Sequence, residues 1–230
     1  MDDPQTKAMT GQRVPRDIDA PRCVTPEGSI VRGEWSSVWI GDRGGSLHRS
    51  DGSLSAQRWI SERWIYHHDH KMSSNAGAPT AAPNNADTDL SLSFLDEVSA
   101  LAAGHRPCDI QQAAEAKRFL KCWSNSHDAQ SESWETIDQT LHGERLNAHG
   151  RKQLHKVPIQ DLPDGSMFSA PAGYLLLLGR RCFLWSTRGY AAIVPCRAND
   201  VVDFLTPPSV IDVLRAGFEP DIHESILKLM

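Results

Sequence analysis

A polar stretch at residues 73–89, SSNAGAPTAAPNNADTD, divides the chain into two parts with different hydrophobic patterns. It contains almost no large apolar side chain, so it is predicted to be a loop or linker outside any core. Residues 29–66 are rich in Trp, Val and Ile and are interrupted by turn-forming runs at 41–45 and 50–53, which predicts short strands and hairpins. We expect the tryptophans of this segment to pack a small β layer: Trp35, Trp39, Trp59 and Trp64.

The pattern becomes helical after the polar stretch. A first helix is predicted from Asp96, with Gly104 stopping it in a left-handed cap. Asp96 and Glu97 are interpreted as helix-start residues with little prospect of acid–base work. We expect His105, directly after the cap, to pack against it. The inner face of this helix consists of Val98, Leu101 and Ala102.

Two further helices are predicted before residue 150. The second begins after Asp109 as its N-cap, and the third covers residues 133–141. Apolar side chains recur at helical spacing in both. The inner residues of the second helix are Ala113, Ala116, Leu120 and Trp123, and those of the third are Trp134, Ile137 and Leu141.

The remaining chain returns to a β pattern. Residues 162–166 form a turn, residues 174–178 and 182–185 are strands joined by a hairpin tip at 179–181, and a last helix at 210–216 ends at Gly217. The fold class is therefore α+β, with an N-terminal small β layer, central short helices and a C-terminal β unit with a final helix. The predicted organisation is a mobile arm at 1–22, a region at 23–150 and a unit at 151–230.

The overall charge and the cysteine content restrict the partners and the compartment. A net charge of −5 over 230 residues argues against a strong grip on nucleic acid. The longest apolar run, 174–178, is far shorter than the roughly 20 residues that span a bilayer. Residues 1–30 have no apolar run typical of a signal peptide. Five scattered cysteines favour free thiols or a metal ligand over disulfides, so we expect a cytoplasmic protein.

Potential metal ligands are concentrated at His67, His68, Asp69 and His70. Adjacent strand positions point apart, so at most two of these side chains share one ion, and a solvated strand end is the alternative. Cys108 follows a proline and precedes a helix, where the helix N-terminus favours a thiolate. A buried, inert thiol is the alternative there.

Short runs distributed over residues 22–226 carry a resemblance. They lie at 24–26, 41–48, 63–65, 94–108, 141–145, 162–165, 185, 189–190, 205–209 and 217–225. Together they resemble an uncharacterised family of small bacterial proteins. The central run ALAAGHRPC, residues 100–108, is also similar to the zinc module of Ada-type alkylation-repair proteins. The resemblance implies architecture and a metal rather than an activity.

This chain departs from that Ada-like pattern at two ligands. Gln111 stands where a second cysteine is expected, and Tyr66 and His67 stand where another is expected after Trp-Ile. Two thiolate ligands are thus missing from the pattern, and a metal site with three protein ligands leaves a position open to water or substrate. Zinc and ferrous iron both accept mixed ligands of this kind. The predicted ligands are His48, His67, His68, His70 and Cys108.

Three functions remain open from the sequence. The first is a metalloenzyme that binds a small-molecule substrate at the open position of a zinc or iron ion. The second is a structural zinc-module protein with a binding role, in which a link to DNA is conceivable although nucleic acid is not the expected partner. The third is a metal-free protein with a decayed site, working from a pocket between the N-terminal β layer and the C-terminal β unit. The sequence leaves the oligomeric state open.

Overall fold

The computed structural model of the protein describes residues 22–32, 38–49, 53–69, 91–127 and 132–230. Outside these ranges lie the predicted linker at 73–89, all but the last residue of the predicted arm at 1–22, Trp35 and His70. The fold is α+β, as predicted, and contains two six-stranded sheets.

The first sheet is built before residue 108 and has the strand order β2-β1-β5-β3-β4-β6. It is mixed: β1 pairs parallel with β5 and β4 pairs parallel with β6, whereas the other neighbours are antiparallel. Its strands are β1 (Arg22–Val24), β2 (Ile30–Arg32), β3 (Trp39–Arg43), β4 (Trp64–His68), β5 (Leu92–Phe94) and β6 (Arg106–Pro107). The run at 41–45, predicted as a turn, is partly strand, because its first three residues complete β3.

The first helix, α1 (Glu97–Ala102), begins and ends as predicted. The Asp96 side chain accepts from the Ser99 backbone at 2.9 Å, and the Ser99 hydroxyl bonds back to the Asp96 backbone, a reciprocal cap. Gly104 follows the helix with φ +89°, a conformation that disfavours residues with a Cβ. The residues after the cap are thereby directed into β6.

The next two helices are α2 (Ala113–Ser126) and α3 (Trp134–Arg145). The prediction that Asp109 caps α2 is wrong, because its carboxylate accepts from Arg106 Nη1 at 3.2 Å and the helix begins later. The inner face of α2 is also shifted: Ala113 is exposed, and Phe119 is buried instead. In α3, Ser133 is the N-cap, and the helix runs beyond the predicted end at 141.

The second sheet is antiparallel throughout, with the order β11-β10-β9-β8-β12-β7. The predicted tip at 179–181 joins β9 to β10, and both Gly179 and Arg180 have positive φ, as a tight hairpin requires. The strands are β7 (His155–Pro158), β8 (Met167–Ala170), β9 (Gly173–Leu178), β10 (Arg181–Ser186), β11 (Gly189–Val194) and β12 (Val201–Phe204). The last helix, α4 (Pro208–Arg215), precedes Gly217, whose φ is +95°.

One hydrophobic cluster joins the two sheets and the helices between them. It contains Tyr66 from the first sheet, Phe168 from the second, and Phe119, Leu141 and Val210 from helices α2, α3 and α4. The central helices therefore lie within a shared core. In the described part of the chain, no helix is both long and apolar enough to cross a membrane.

Candidate functional site

Two predicted metal ligands, His67 and Cys108, are neighbours across the first sheet. β4 and β6 run parallel with Tyr66 opposite Pro107, and the Cys108 backbone N–H donates to Tyr66 O at 2.8 Å. His67 follows Tyr66 and Cys108 follows Pro107, so continuing the register places the two residues side by side. The segments after Trp-Ile and after Arg-Pro are thus adjacent in the backbone of the first sheet.

Gln111, in the position where a second thiolate is expected, contacts Cys108 directly. The Cys108 thiol donates to Gln111 Oε1 at 3.0 Å, and the Gln111 backbone N–H donates to Cys108 Sγ at 3.4 Å. Cys108 is fully buried. The amide of Gln111 therefore satisfies the thiol that the Ada-like pattern would assign to a metal.

The other predicted ligands do not complete a metal site. The His68 ring packs edge-on to Trp39, with the ring centroids 5.2 Å apart. The backbone of His48 forms an isolated β-bridge with Leu54, and His70 lies outside the described residues. Over the described ranges, no group of three or more His, Cys, Asp or Glu side chains could hold a metal. A cysteine-rich zinc site therefore does not fit the described residues.

The buried acids Asp96 and Glu97 connect the two sheets. Asp96 Oδ2 accepts from the Tyr190 hydroxyl at 2.8 Å, while Glu97 accepts from the Tyr66 hydroxyl at 2.6 Å and from the Asp221 N–H at 2.8 Å. Burial raises the pKa of Glu97 to about 7 despite these bonds. Asp96 caps α1 and Glu97 is its first residue, as predicted.

His105 is fully buried between Trp64 and Phe94, with ring centroids 5.0 and 4.7 Å away, which agrees with the predicted packing role. Among the described residues, neither ring nitrogen has a hydrogen-bond partner. Burial lowers its pKa well below 6.5, so the ring is neutral. Three nearby cations lower that pKa further: Arg43, Arg145 and Lys152.

These cations line a small concave site, partly open to solvent, which sequence reasoning missed. It lies where α1, the end of α3 and the start of the C-terminal unit meet the first sheet. Arg43 and Arg145 are 2% and 1% exposed, and Lys152 is half-buried. The side chains that define the site are Arg43, Arg58, Arg145, Lys152, Trp59 and Trp64.

Backbone carbonyls hold the cations in place. Arg43 Nη2 donates to Gly28 O at 2.6 Å, Arg145 Nη1 donates to Gly104 O at 2.7 Å, and Lys152 Nζ donates to Ala102 O. The last two acceptors lie at the C-terminal end of α1, where helix carbonyls are unpaired and attract positive charge. The geometry of α1 and its glycine cap therefore explains why cations gather here.

Trp64 supplies an aromatic surface for both buried arginines. Its ring centroid lies 4.2 Å from Arg43 Cζ and 4.0 Å from Arg145 Cζ, and its indole N–H donates to Ser61 O at 3.1 Å. Cation–π contacts of this kind stabilise guanidinium groups without neutralising them. The two arginines thus remain a concentration of positive charge.

The carboxylates of Asp138, Glu62 and Glu27 interact with the cations of this site only over a distance. Within the described ranges, none of Arg43, Arg58, Arg145 or Lys152 forms an ion pair. Nε of Arg43 and Nε of Arg145 also have no hydrogen-bond partner there. Glu27 lines the site, but it is exposed and its carboxylate accepts from Tyr174.

Burial and mutual repulsion lower the pKa values of Arg43, Arg145 and Lys152 at this site. Burial lowers the pKa of Arg43 and of Arg145 to about 9, yet both guanidinium groups remain charged at neutral pH. Burial, followed by repulsion from Arg145 and Arg43, lowers the pKa of Lys152 to about 7. The site thus combines two permanent cations with an amine that titrates near neutrality.

The sequence contained part of the signal for this site. Arg43 and Arg145 lie inside runs 41–48 and 141–145, which carry the resemblance to the small bacterial family. The first run was interpreted only as a turn, and Lys152 belongs to no such run. Nothing in local spacing indicates that these residues meet.

Comparison with known proteins adds no relative. No protein-family model, curated protein or solved structure matches the chain. The resemblance to the small bacterial family and to the Ada-type module therefore stays a prediction, and the function is argued from the site.

Proposed function

We propose that this protein binds a small molecule through an oxyanion group, a carboxylate or a phosphate, at the concave site around Arg43, Arg145 and Lys152. The observation that carries the proposal is the convergence of these cations without an ion pair among the described residues. It corresponds to the metal-free alternative of the sequence analysis, with a pocket near the junction of the two β units.

An uncompensated buried charge is costly, because it loses its water shell without gaining a counter-ion. The carbonyls of Gly28, Ala102 and Gly104 offset part of that cost, but dipoles carry no net charge. A bound anion would supply the missing negative charge beside Arg43 and Arg145. Binding of the anion would therefore also relieve the repulsion among the cations of the site.

The outer part of the site favours a small ligand with an anionic head. Arg58 is exposed at the rim, where its guanidinium donates to Gly150 O, and the half-buried Trp59 lies beside it. Arginine binds planar carboxylates and phosphates through its fork of donors. The cations would bind the anionic head group of the ligand, and Trp59 would contact the rest of the ligand.

Sulfate tests this proposal, because its charge is constant across the relevant pH range. With sulfate at about 100 times its Kd, binding adds about 2.7 kcal/mol, a Tm rise of roughly 5–10 °C for a chain of this size. Lys152→Met should reduce the rise, whereas Arg197→Gln, at an exposed arginine before β12, should leave it unchanged. Chloride at equal ionic strength provides the baseline for thermal melts.

The response should also depend on pH. Lys152 is charged below its pKa of about 7, so sulfate should bind more tightly at about pH 6 than at about pH 8, where both arginines are still charged. Sulfate also stabilises proteins in general by exclusion from their surfaces. An equal Tm rise in wild type and Lys152→Met at both pH values would show only that general effect and would refute the proposal.

Metal binding, predicted from the sequence, is the second candidate function. The observation that favours it is the register of β4 and β6, in which the Cys108 backbone bonds to Tyr66, the residue before His67. Zinc and ferrous iron both bind such mixed ligands. It ranks second because zinc sites use three or four protein ligands, and the described residues offer no group of three.

Metal analysis of protein purified without a histidine tag tests this candidate. If it is correct, zinc or iron is present at about one ion per chain, as expected for a protein site, and Cys108→Ser removes it. Cys122→Ser, at a half-buried cysteine in α2, should retain it. Metal content that is negligible, or unchanged by Cys108→Ser, would eliminate metal binding at this position.

A further inference from the structure

We propose that Lys152 forms an imine with a small carbonyl compound that also carries a carboxylate, such as an oxo acid, bound at the cationic site. This inference rests on the proposed oxyanion-binding function and adds a chemical class of substrate to it. It assigns one residue the role of nucleophile and the neighbouring arginines the role of holding the anion.

The backbone positions Lys152 beside the arginines. The segment after α3 turns back, so that Lys152 forms a β-bridge with Leu146 and the Gln153 N–H donates to Arg145 O at 3.0 Å. Lys152 Nζ then reaches the end of α1 and donates to Ala102 O. The amine is therefore held by the fold at the wall of the site rather than free on the surface.

The surroundings keep the amine partly neutral. Burial, Arg145 and Arg43 lower the pKa of Lys152 to about 7, and the exposed carboxylate of Glu27 opposes them. Desolvation and neighbouring cations are the usual means of activating a lysine nucleophile. At pH 7, the free-amine fraction is roughly a thousandfold larger than for an ordinary lysine. The same arginines attract the carboxylate of the substrate.

The proposed step is balanced without a cofactor. The lone pair of Nζ attacks the carbonyl carbon and forms a C–N bond, and a proton passes from nitrogen to oxygen to give a carbinolamine. Loss of water then forms the C=N bond, so the amine and the carbonyl compound yield the imine and one water molecule. No oxidant or reductant is consumed.

Reductive trapping with glyoxylate and cyanoborohydride tests the step. Hydride adds to the imine carbon and fixes the adduct, which peptide mass spectrometry locates. We expect labelling of Lys152 at pH 7 to be at least about tenfold faster than that of the exposed Lys117, Lys121 and Lys156, given its larger free-amine fraction. Lys152→Arg should abolish the fast labelling, and Lys156→Arg should leave it intact.

Two matched conditions separate this proposal from the oxyanion-binding function. Acetaldehyde, an uncharged carbonyl compound of the same carbon number, should label Lys152 more slowly than glyoxylate, and sulfate should slow labelling by glyoxylate. Equal labelling of all lysines, or no adduct at Lys152 while sulfate still raises the Tm in a Lys152-dependent manner, would overturn the imine alone. Fast labelling of Lys152 that sulfate does not slow and that acetaldehyde matches would instead overturn oxyanion binding.

Discussion

Replacing Asp138 by alanine is expected to lower the free energy of unfolding by roughly 3–5 kcal/mol, because it leaves a buried guanidinium without its main partner. Asp138 accepts from Arg106 Nε at 2.8 Å and from Arg106 Nη2 at 2.9 Å. Arg106 is 1% exposed and lies 4.2 Å from the centroid of the Trp134 ring. Chemical denaturation of the two proteins measures the difference.

The chain provides a matched control for this prediction. Arg215 and Asp212 form an ion pair with the same 2.8 Å separation, but both side chains are about half exposed. Asp212→Ala should therefore cost less than about 1 kcal/mol. The double replacement Arg106→Met with Asp138→Leu should recover much of the loss, because no charge is left buried. Similar losses for Asp138→Ala and Asp212→Ala would contradict the role of burial.

Replacing Gly104 by alanine should destabilise the protein by roughly 2–5 kcal/mol, from a strained backbone and from overpacking. Gly104 has φ +89°, and an added Cβ would lie 2.7 Å from Arg145 Cδ and 2.9 Å from Arg145 Cβ. Arg145 is buried and its guanidinium is engaged with Gly104 O and Trp64, so it has little freedom to move aside. Denaturant unfolding gives the cost.

Gly217→Ala separates the two contributions to that cost. Gly217 ends α4 at φ +95°, but an added Cβ there meets nothing within 4 Å. Gly217→Ala should therefore lose only the roughly 1–2 kcal/mol that a residue with a Cβ costs at positive φ. The additional loss of stability in Gly104→Ala, beyond that in Gly217→Ala, then measures crowding against Arg145. Gly104→Ala should also weaken the rise of Tm with sulfate, because it disturbs Arg145. Equal losses of stability in the two variants would show that Arg145 moves aside without cost, and would contradict the prediction.

Local signals account for what the sequence predicted correctly. Gly104 and Gly217 end helices, Ser133 begins one, and Gly179 with Arg180 forms a hairpin tip, since each depends only on adjacent residues. Asp109 failed as a cap because Arg106, three residues earlier, and Arg63, from the segment before β4, both engage its carboxylate. Tertiary contacts overrode a local preference there.

The candidate site was hidden for a related reason. Arg43 comes from the end of β3, Arg145 from the end of α3 and Lys152 from the segment that follows. Carbonyls at the end of α1 hold Arg145 and Lys152, and the Trp64 ring contacts both arginines. Local sequence patterns instead indicated a metal site at His48, His67, His68, His70 and Cys108, because metal ligands have recognisable residue types and spacings. A cluster of cations has no such spacing, and it became informative because its members form no ion pair among the described residues.

The parallel pairing of β1 with β5 has a consequence for biosynthesis. β1 ends at Val24, but its partner begins at Leu92, and the outermost strand β6 ends at Pro107. A ribosome must therefore release the chain through residue 107 before the first sheet can close, and strand pairs so far apart in sequence form slowly. Strands β8 to β11 pair with their immediate neighbours and can form hairpins as they emerge. Nascent chains halted near residue 100 would thus expose an incomplete sheet edge, at which chaperones are expected to act.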